Sequence, residues 1–404
     1  MKKFLTLSIA LIIVAGIVSM ARSANIDTDT GWSKSTGYSK DRYIVKTSNG
    51  TIVVLYLRGS SPSGIRGKKS TNSGATWTDL AGTAGQSTEI DSYAPVEFSI
   101  CLDASDNIYV AYQESQDIYF RKLTYSVSGS TWTLGQEKTV EDENHSDKPS
   151  IIWQSSNGRV WVAYGHDNGT DGIVMTRYST DGFQNSTPEY VGSWQSGAES
   201  IDYYPALVIR NNNPFLIYAD ENSAVYKYKW SSYDGNDWGT LNDISSDTSY
   251  SDQFSVTTIG NDVHFVYKDS SAGIKHRYYN GTSWSETPTT LSSSTDDRWP
   301  TLTTGDNNLW CFISEYVGSN QYNIKYKKRS DSTWDSNWTA ITTDNANNRY
   351  CTSPSTTTVY IPIAWTEGTA SYTVKFDSSV VIDTTPPTIS TLSPADNATG
   401  VGIN

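Results

Sequence analysis

One phrase recurs seven times along this chain, and that recurrence constrains the fold more than any other feature. It opens with an apolar stretch ending near an aromatic: VVLYLRG, IYVAYQE, VWVAYGH, PFLIYAD, VHFVYKD, LWCFISE and VYIPIAWTE. The anchor positions Tyr56, Tyr112, Tyr164, Tyr218, Tyr267, Ile313 and Trp365 stand roughly 50 residues apart. A polar loop follows, then a stretch rich in Tyr, Lys and Arg (IRGKKS, IYFRKL, IVMTRYS, VYKYKW, IKHRYY, NIKYKK, YTVKF). A Ser/Asp/Gly turn and a Trp-bearing segment complete the unit. Period-two alternation punctuated by turn residues marks strands, and no stretch carries a helical period.

A unit of about 50 residues with four short strands predicts a propeller blade. Seven of them predict an all-β, seven-bladed β-propeller of four-stranded antiparallel blades over 25–382. A parallel β-helix would use shorter, more uniform coils, and a sandwich would not repeat seven times. In most units a Trp heads the fourth strand: Trp77, Trp132, Trp238, Trp284 and Trp338, with the third unit degenerate around Tyr190. The seventh lacks a fourth strand, because Phe376-Asp377-Ser378-Ser379 runs straight into a linker. Gly31-Trp32-Ser33 is similar to Gly281-Thr282-Ser283-Trp284 and is expected to supply it. Pairing the N-terminal strand with the last blade closes the ring and removes two exposed sheet edges.

Residues 1–23 read as a secretory signal peptide: Lys2-Lys3, an apolar run from Phe4 to Met20, then small residues at Ala21 and Ser23. The alternative is an uncleaved anchor, for which that run is barely long enough. A secreted or cell-surface protein with no membrane span after cleavage is expected. Net charge is −13, and loss of Lys2, Lys3 and Arg22 makes it more negative. Such a surface repels phosphate backbones and anionic lipid, which argues against nucleic acid and leaves glycans open. Cys101, Cys311 and Cys351 are an odd number at no metal-ligand spacing and are read as buried free thiols. Pro386-Pro387 marks a linker within 383–404. The text after it resembles the first strand and turn of bacterial Ig-like modules, too short to close a sandwich. The chain is therefore expected to be a monomeric fragment of a longer surface protein.

The first unit, Asp41 to Leu80, resembles the sialidase superfamily. Its Arg42-Tyr43-Ile44, Gly50-Thr51-Ile52-Val53 and Tyr56-Leu57-Arg58 follow that family's opening strands. Ser70-Thr71-Asn72-Ser73-Gly74-Ala75-Thr76-Trp77 is similar to its Asp box, with Asn72 in place of Asp. Weaker echoes stand at Ser179–Phe183 and Tyr233–Trp238. The resemblance implies a propeller and a glycan ligand. Two departures count against sialic-acid hydrolysis: seven units instead of six blades, and no carboxylate in Gly59–Gly64, where the family's catalytic Asp would stand. A second resemblance is to seven-bladed BNR-repeat polysaccharide lyases, carried by His145-Ser146-Asp147-Lys148-Pro149, Tyr164-Gly165-His166 and Tyr203-Tyr204-Pro205. It implies His145, His166 and Tyr203 as catalytic candidates. The neutralising Arg of those lyases is missing, since Ala219-Asp220-Glu221 stands there.

In a propeller the start of each innermost strand and the end of the next share one rim. That rim is expected to carry Arg42, Arg298, Arg349, Glu114, Glu315, Tyr350 and Trp299 as ligand-binding residues. The three arginines fall in blades one, six and seven, adjacent around a closed ring, where one acidic sugar could meet them all. Ion pairing between blades explains the same residues equally well. Two function classes follow: a recognition propeller, favoured by the missing general acid, and a glycosidase or lyase, favoured by the His–His–Tyr set. The turn-rich Asp27–Gly31 and Asp167–Gly172 lack the closing Glu of a calcium loop. No cofactor and no metal are expected.

Overall fold

The computed structural model describes residues 24–381 except 29, 61–62, 94–96, 143–144, 168–171, 184–189, 196–203, 223–224, 241 and 245–248. The expected signal peptide and tail lie outside the described residues. The described chain is a seven-bladed β-propeller of antiparallel sheets, the first six ordered innermost to outermost in sequence. Blade 1 comprises Ile44–Lys46, Ile52–Arg58, Gly64–Ser70 and Thr88–Asp91. Blade 2 runs from Phe98–Leu102 to Lys138–Glu141, and blade 3 from Ser146–Gln154 to Tyr190–Gln195. Blades 4, 5 and 6 begin with Tyr204–Arg210, Ser249–Ile259 and Arg298–Gly305. Blade 7 is built from Asn348–Thr352, Tyr360–Glu367 and Thr373–Val381, and its outermost strand is Ala24–Asp27.

The ring therefore closes by terminal pairing, but the strand is not Gly31–Ser33. Ala24 pairs with Phe376 and Asp27 with Val374. The physical reason lies in the side chains: Ile26 is buried in the seam between blades 7 and 1, while Asp27 accepts from Tyr56 Oη at 2.7 Å. Trp32 precedes a turn and packs over Gly59, where a Cβ would come within 2.9 Å of the indole.

Seven hydrophobic clusters hold the ring, and every one lies between two neighbouring blades. A blade is thus covered on both faces. This explains why its second strand reads as a nearly unbroken apolar run: Ile52–Leu57 is buried throughout. The third strands carry the Lys/Arg-rich text, and the reason is a repeated contact. Lys68 donates to Ile26 O at 2.7 Å and Lys327 to Leu291 O at 3.2 Å. Arg177 donates to Val140 O and Arg277 to Ile244 O in the same way. Each cation reaches the outer edge of the preceding blade and satisfies a carbonyl there.

Tryptophans reinforce the same direction. Trp238 Nε1 donates to Thr176 Oγ1 at 3.0 Å, Trp338 Nε1 to Leu291 O at 3.2 Å, and Trp77 meets Phe376 edge-on at 5.0 Å. Trp338 heads the outer strand Thr339–Ala340, as the repeat suggested, but Trp77, Trp238 and Trp284 do not head theirs. They sit on short extensions that bridge back to the third strand, such as Tyr233 to Trp238 and Tyr279 to Trp284. The outer strand follows several residues later, at Thr88–Asp91 or Thr289–Ser292. In the Ser70–Trp77 turn, Ser70 Oγ accepts from Gly74 N at 2.8 Å, and Asn72 Oδ1 accepts from Thr76 N at 2.9 Å. Cys101, Cys311 and Cys351 are all free thiols.

Candidate functional site

Ring closure dictates the central feature of the rim where the inner strands begin. The chain leaves the outermost strand of blade 7 at Asp27 and must reach the innermost strand of blade 1 at Ile44. Residues 30–43 make that crossing as a strap over the rim where the innermost strands begin. Thr30 N donates to Tyr372 O at 2.8 Å, Thr36 Oγ1 to Tyr350 O at 2.8 Å, and Ser39 Oγ to Asp252 O at 3.2 Å. Ser35, Thr36, Ser39, Lys40 and Asp41 are buried. Gly37 has φ +60°, and a Cβ there would fall 1.8 Å from Tyr43 Oη, so only glycine lets the strap lie this low.

Beneath the strap, Lys40 Nζ lies 2.8 Å from Asp41 and 3.4 Å from Glu97, all three buried. Burial acts against the Lys40 cation, but the two carboxylates outweigh it and raise its pKa. Burial pushes Asp41 well up, with Lys40 opposing and Glu97 adding. Arg42 turns down into the central channel, a cavity of about 260 Å³. Its guanidinium donates to Leu302 O at 2.6 Å, Val256 O at 2.9 Å and Ser353 O at 3.3 Å. Burial lowers its pKa to about 10. Arg42 thus ties the inner strands of blades 5 and 6 to the loop after that of blade 7, and its donors point at backbone.

The inner strands of blades 3, 6 and 7 start with the same irregularity. Their registers shift between Asp147 and Ser150, Arg298 and Thr301, and Arg349 and Thr352. Inside each bulge one bulky residue is left-handed: Lys148 at φ 56°, Trp299 at 50° and Tyr350 at 56°. A bulge re-aims side chains, and a bulky residue in this region costs on the order of 1–3 kcal/mol, which the surroundings must outweigh. Here the strap holds the geometry through Thr36 on Tyr350 O and through Tyr43 N on Thr352 Oγ1 at 3.2 Å.

The re-aimed rings of Trp299 and Tyr350 are buried beside the strap and join the partly exposed Tyr322 and Tyr316 in one chain of tilted rings. Trp299 lies 4.4 Å from Tyr350 and 5.3 Å from Tyr322, and Tyr322 lies 5.5 Å from Tyr316. Cations flank it: Lys34 Nζ is 4.2 Å from the Tyr38 ring centre and 5.9 Å from that of Tyr350, and Arg349 is 5.7 Å from that of Tyr322. Across the mouth, Lys148 lies 4.4 Å from the Tyr204 ring centre. Asp252 borders the group, its carboxyl pushed up by burial while Lys34 opposes. Burial and then the Asp252 charge raise the Tyr350 hydroxyl. The partly exposed Tyr316 and Tyr322, with cations and one carboxyl nearby, can meet an apolar ring face and hydrogen-bond its polar edge.

Several of these residues carry no signal in the repeat. Lys34 and Tyr38 belong to the strap, Tyr322 to a hairpin of blade 6, and Asp252 immediately precedes the first core residues of its strand. The three arginines have three different settings. Arg42 is in the channel, Arg349 beside Tyr322, and Arg298 close enough to Lys268 to help lower that ammonium, after burial, to about 8. Glu315 accepts from Lys325 Nζ at 2.7 Å. Glu114 joins Asp91 and Glu137, whose carboxylate oxygens lie within 4.8 Å of one another. Arg121 sits 3.1 Å from Glu137 and 3.9 Å from Asp91, so a guanidinium provides the countercharge there. His145 is exposed and donates its backbone N–H to Gln116 O at 3.1 Å; His166 is buried with Nδ1 2.9 Å from Ser146 Oγ. Tyr203 lies outside the described residues.

No family model matches the chain, and no curated protein matches it. Solved structures do. A polysaccharide lyase described as an ulvan lyase bound to -[GlcA(1-4)Rha3S]- superposes with a TM-score of 0.56 at 10% identity, over 89% of this chain and 96% of the lyase. The polysaccharide lyase Uly1 gives 0.52 at 11%, over 84% and 90%. AofleA from Arthrobotrys oligospora gives 0.51 at 10%, over 81% and 93%. At these identities the likeness is one of fold.

Proposed function

We propose that this is a secreted or cell-surface propeller that recognises extracellular glycans on the rim of blades 6 and 7 without cleaving them. The observation that carries the reading is the pair of left-handed bulges that set Trp299 and Tyr350 against each other at 4.4 Å. Backbone strain at equivalent positions, maintained at Tyr350 by the strap, is a cost that packing alone does not require. What it achieves is a buried aromatic base that fixes the partly exposed Tyr316 and Tyr322, with Lys34 and Arg349 at its edge, for a sugar's apolar face and its hydroxyl or acidic groups. Arg42 lies outside this group.

The glycan-cleaving alternative, a sialidase-like glycosidase or a lyase, draws on Asp252, whose raised carboxyl borders Tyr38 and Tyr350. A proton donor with a raised pKa is what such chemistry requires. The test is a glycan array with the purified protein, run beside an absorbance assay for unsaturated uronates and a sialoside hydrolysis assay. Binding to a defined glycan set is expected, reduced at least about tenfold by Trp299→Ala in a protein that circular dichroism shows still folded, its melting temperature lowered because the ring is buried. Steady turnover of any array glycan by the wild type, lost in Asp252→Asn, would establish the enzymatic reading instead.

A further inference from the structure

The third strands place one cation that the ring does not use. Register aligns the seven third strands on the residue facing each anchor: Arg66, Tyr119, Met175, Lys229, Lys275, Lys325 and Lys375. Two residues further along come the cations that reach the preceding blade, among them Lys68, Arg177, Arg277 and Lys327. Four residues along, the chain has Ser70, Leu123, Ser179, Tyr233, Tyr279, Arg329 and Ser379. Blade 6 alone puts a charge there. The Arg329 guanidinium is half-buried and makes no hydrogen bond or ion pair among the described residues; it lies against the Tyr278 ring, 5.6 Å from its centre. Burial lowers its pKa, with Tyr278 and Asp262 only opposing. A cation removed from water without an acceptor is costly unless something supplies one.

Arg329 lines a groove of about 440 Å³ between blades 5 and 6, away from the mouth. Tyr278, His276 and Thr290 come from blade 5, Lys327, Arg329 and Trp334 from blade 6. The volume is in the range of small-molecule sites, about 300–1,000 Å³. The wall is prearranged. Trp334 Nε1 can only donate and does so to His276 Nδ1 at 3.3 Å. His276 must then carry its proton on Nε2, which donates to His264 Nδ1 at 3.1 Å. A chain of two neutral imidazoles therefore fixes the indole. Asp335 shares the groove, its Oδ2 accepting from Lys328 N at 3.0 Å, so Lys327 and Arg329 outnumber the one carboxylate there. On a chain of net charge −13, this is a local inversion.

We infer that this groove is a second carbohydrate site, selective for an acidic sugar unit, with the anionic group on Arg329 and the ring face on Trp334. The guanidinium fork matches a carboxylate or a sulfate in the same way, so the two anions share one chemistry. The threonine hydroxyls of blade 5 and the carboxylate of Asp335 border the space where sugar hydroxyls would lie. The inference does not depend on the reading of the mouth.

The test is calorimetric titration of the purified protein with oligogalacturonate, with a sulfated galacto-oligosaccharide, and with a neutral galacto-oligosaccharide of the same length. At least one acidic probe should bind roughly tenfold or more tighter than the neutral one, and Arg329→Gln should erase that difference. Thr290→Trp, which fills the groove from an exposed position without touching Arg329, should weaken acidic binding to the same degree. Trp299→Ala at the mouth should leave the acidic preference intact, which separates this site from the one proposed above. The carboxylated and sulfated arms decide which anion is taken. Acidic binding that is undiminished in both Arg329→Gln and Thr290→Trp, or no binding of either acidic probe, overturns the inference.

Discussion

At the scale of single residues, glycines in turns report which contacts between blades are tight. Gly50 has φ +86° and open space within 4 Å of where a Cβ would stand, whereas at Gly74, φ +91°, a Cβ would fall 2.0 Å from Phe376 of blade 7. Gly50→Ala should therefore cost only the left-handed backbone penalty, about 1–2 kcal/mol. Gly74→Ala should add an overpacking cost of about 1–3 kcal/mol by driving into the closing seam. Equal losses on chemical denaturation would mean that the seam yields. The histidine pair of blade 5 makes a pH prediction. Burial, and then Arg329, push His264 down to about 3, and burial, His264 and Arg329 hold His276 well below the usual range. In the unfolded chain both titrate near ~6.5. Between about 6.5 and about 3 the unfolded state binds protons that the folded state refuses, so this contribution is present above about 6.5 and lost as pH falls. Wild type should lose stability relative to His264→Phe between about pH 7 and pH 4, as read by urea midpoints. A constant gap between the two would show that the rings are not neutral together.

At the scale of elements, the strand Ala24–Asp27 and the strap act as one device. The strand covers the edge of blade 7, and Asp27 gathers Tyr56 at 2.7 Å, Lys68 at 3.7 Å and Arg58 at 3.9 Å. Deleting residues 24–36 bares that edge, removes Ile26 from the seam and takes Thr36 from Tyr350 O, so stability should fall by several kcal/mol in thermal melts. A deletion variant that melts like the parent would show that the ring needs no closure. The blades were legible in the sequence because alternation and turns are local: the VVLYL and VWVAY runs announce strands buried on both faces. Trp32 imitates the repeat and points to a closing strand a few residues too late, whereas burial of Ile26 depends on a seam formed with residues over three hundred positions away. The strap carries no periodicity, and only the topology of closure makes it necessary. The place of Trp299 and Tyr350 at the start of inner strands is legible in the repeat. The inward turn of Arg42 is not, because its acceptors are backbone carbonyls, which every residue possesses.

At the scale of the whole molecule, no blade owns a core among the described residues. All seven hydrophobic clusters lie between blades, so removing any one blade exposes two of them. In an open array of repeats, stability is a sum of local terms and the ends can fray. Here terminal pairing leaves no end blade, and the hub adds contacts that skip neighbours. Residues 39–42 reach Glu97 of blade 2, Lys148 of blade 3, Asp252 and Val256 of blade 5, and Leu302 of blade 6. Unfolding one blade would strand the Arg42 guanidinium in the channel and open two seams at once, so partly folded rings should be scarce. Tryptophan fluorescence and far-ultraviolet circular dichroism should then trace one coincident denaturant transition. Arg42→Ala should move that transition to lower denaturant, by on the order of 3 kcal/mol for the charged hydrogen bonds lost, and keep it single. Two separated transitions in the wild type would mean that groups of blades fold independently, and that the hub and the closing strand hold together units already stable alone.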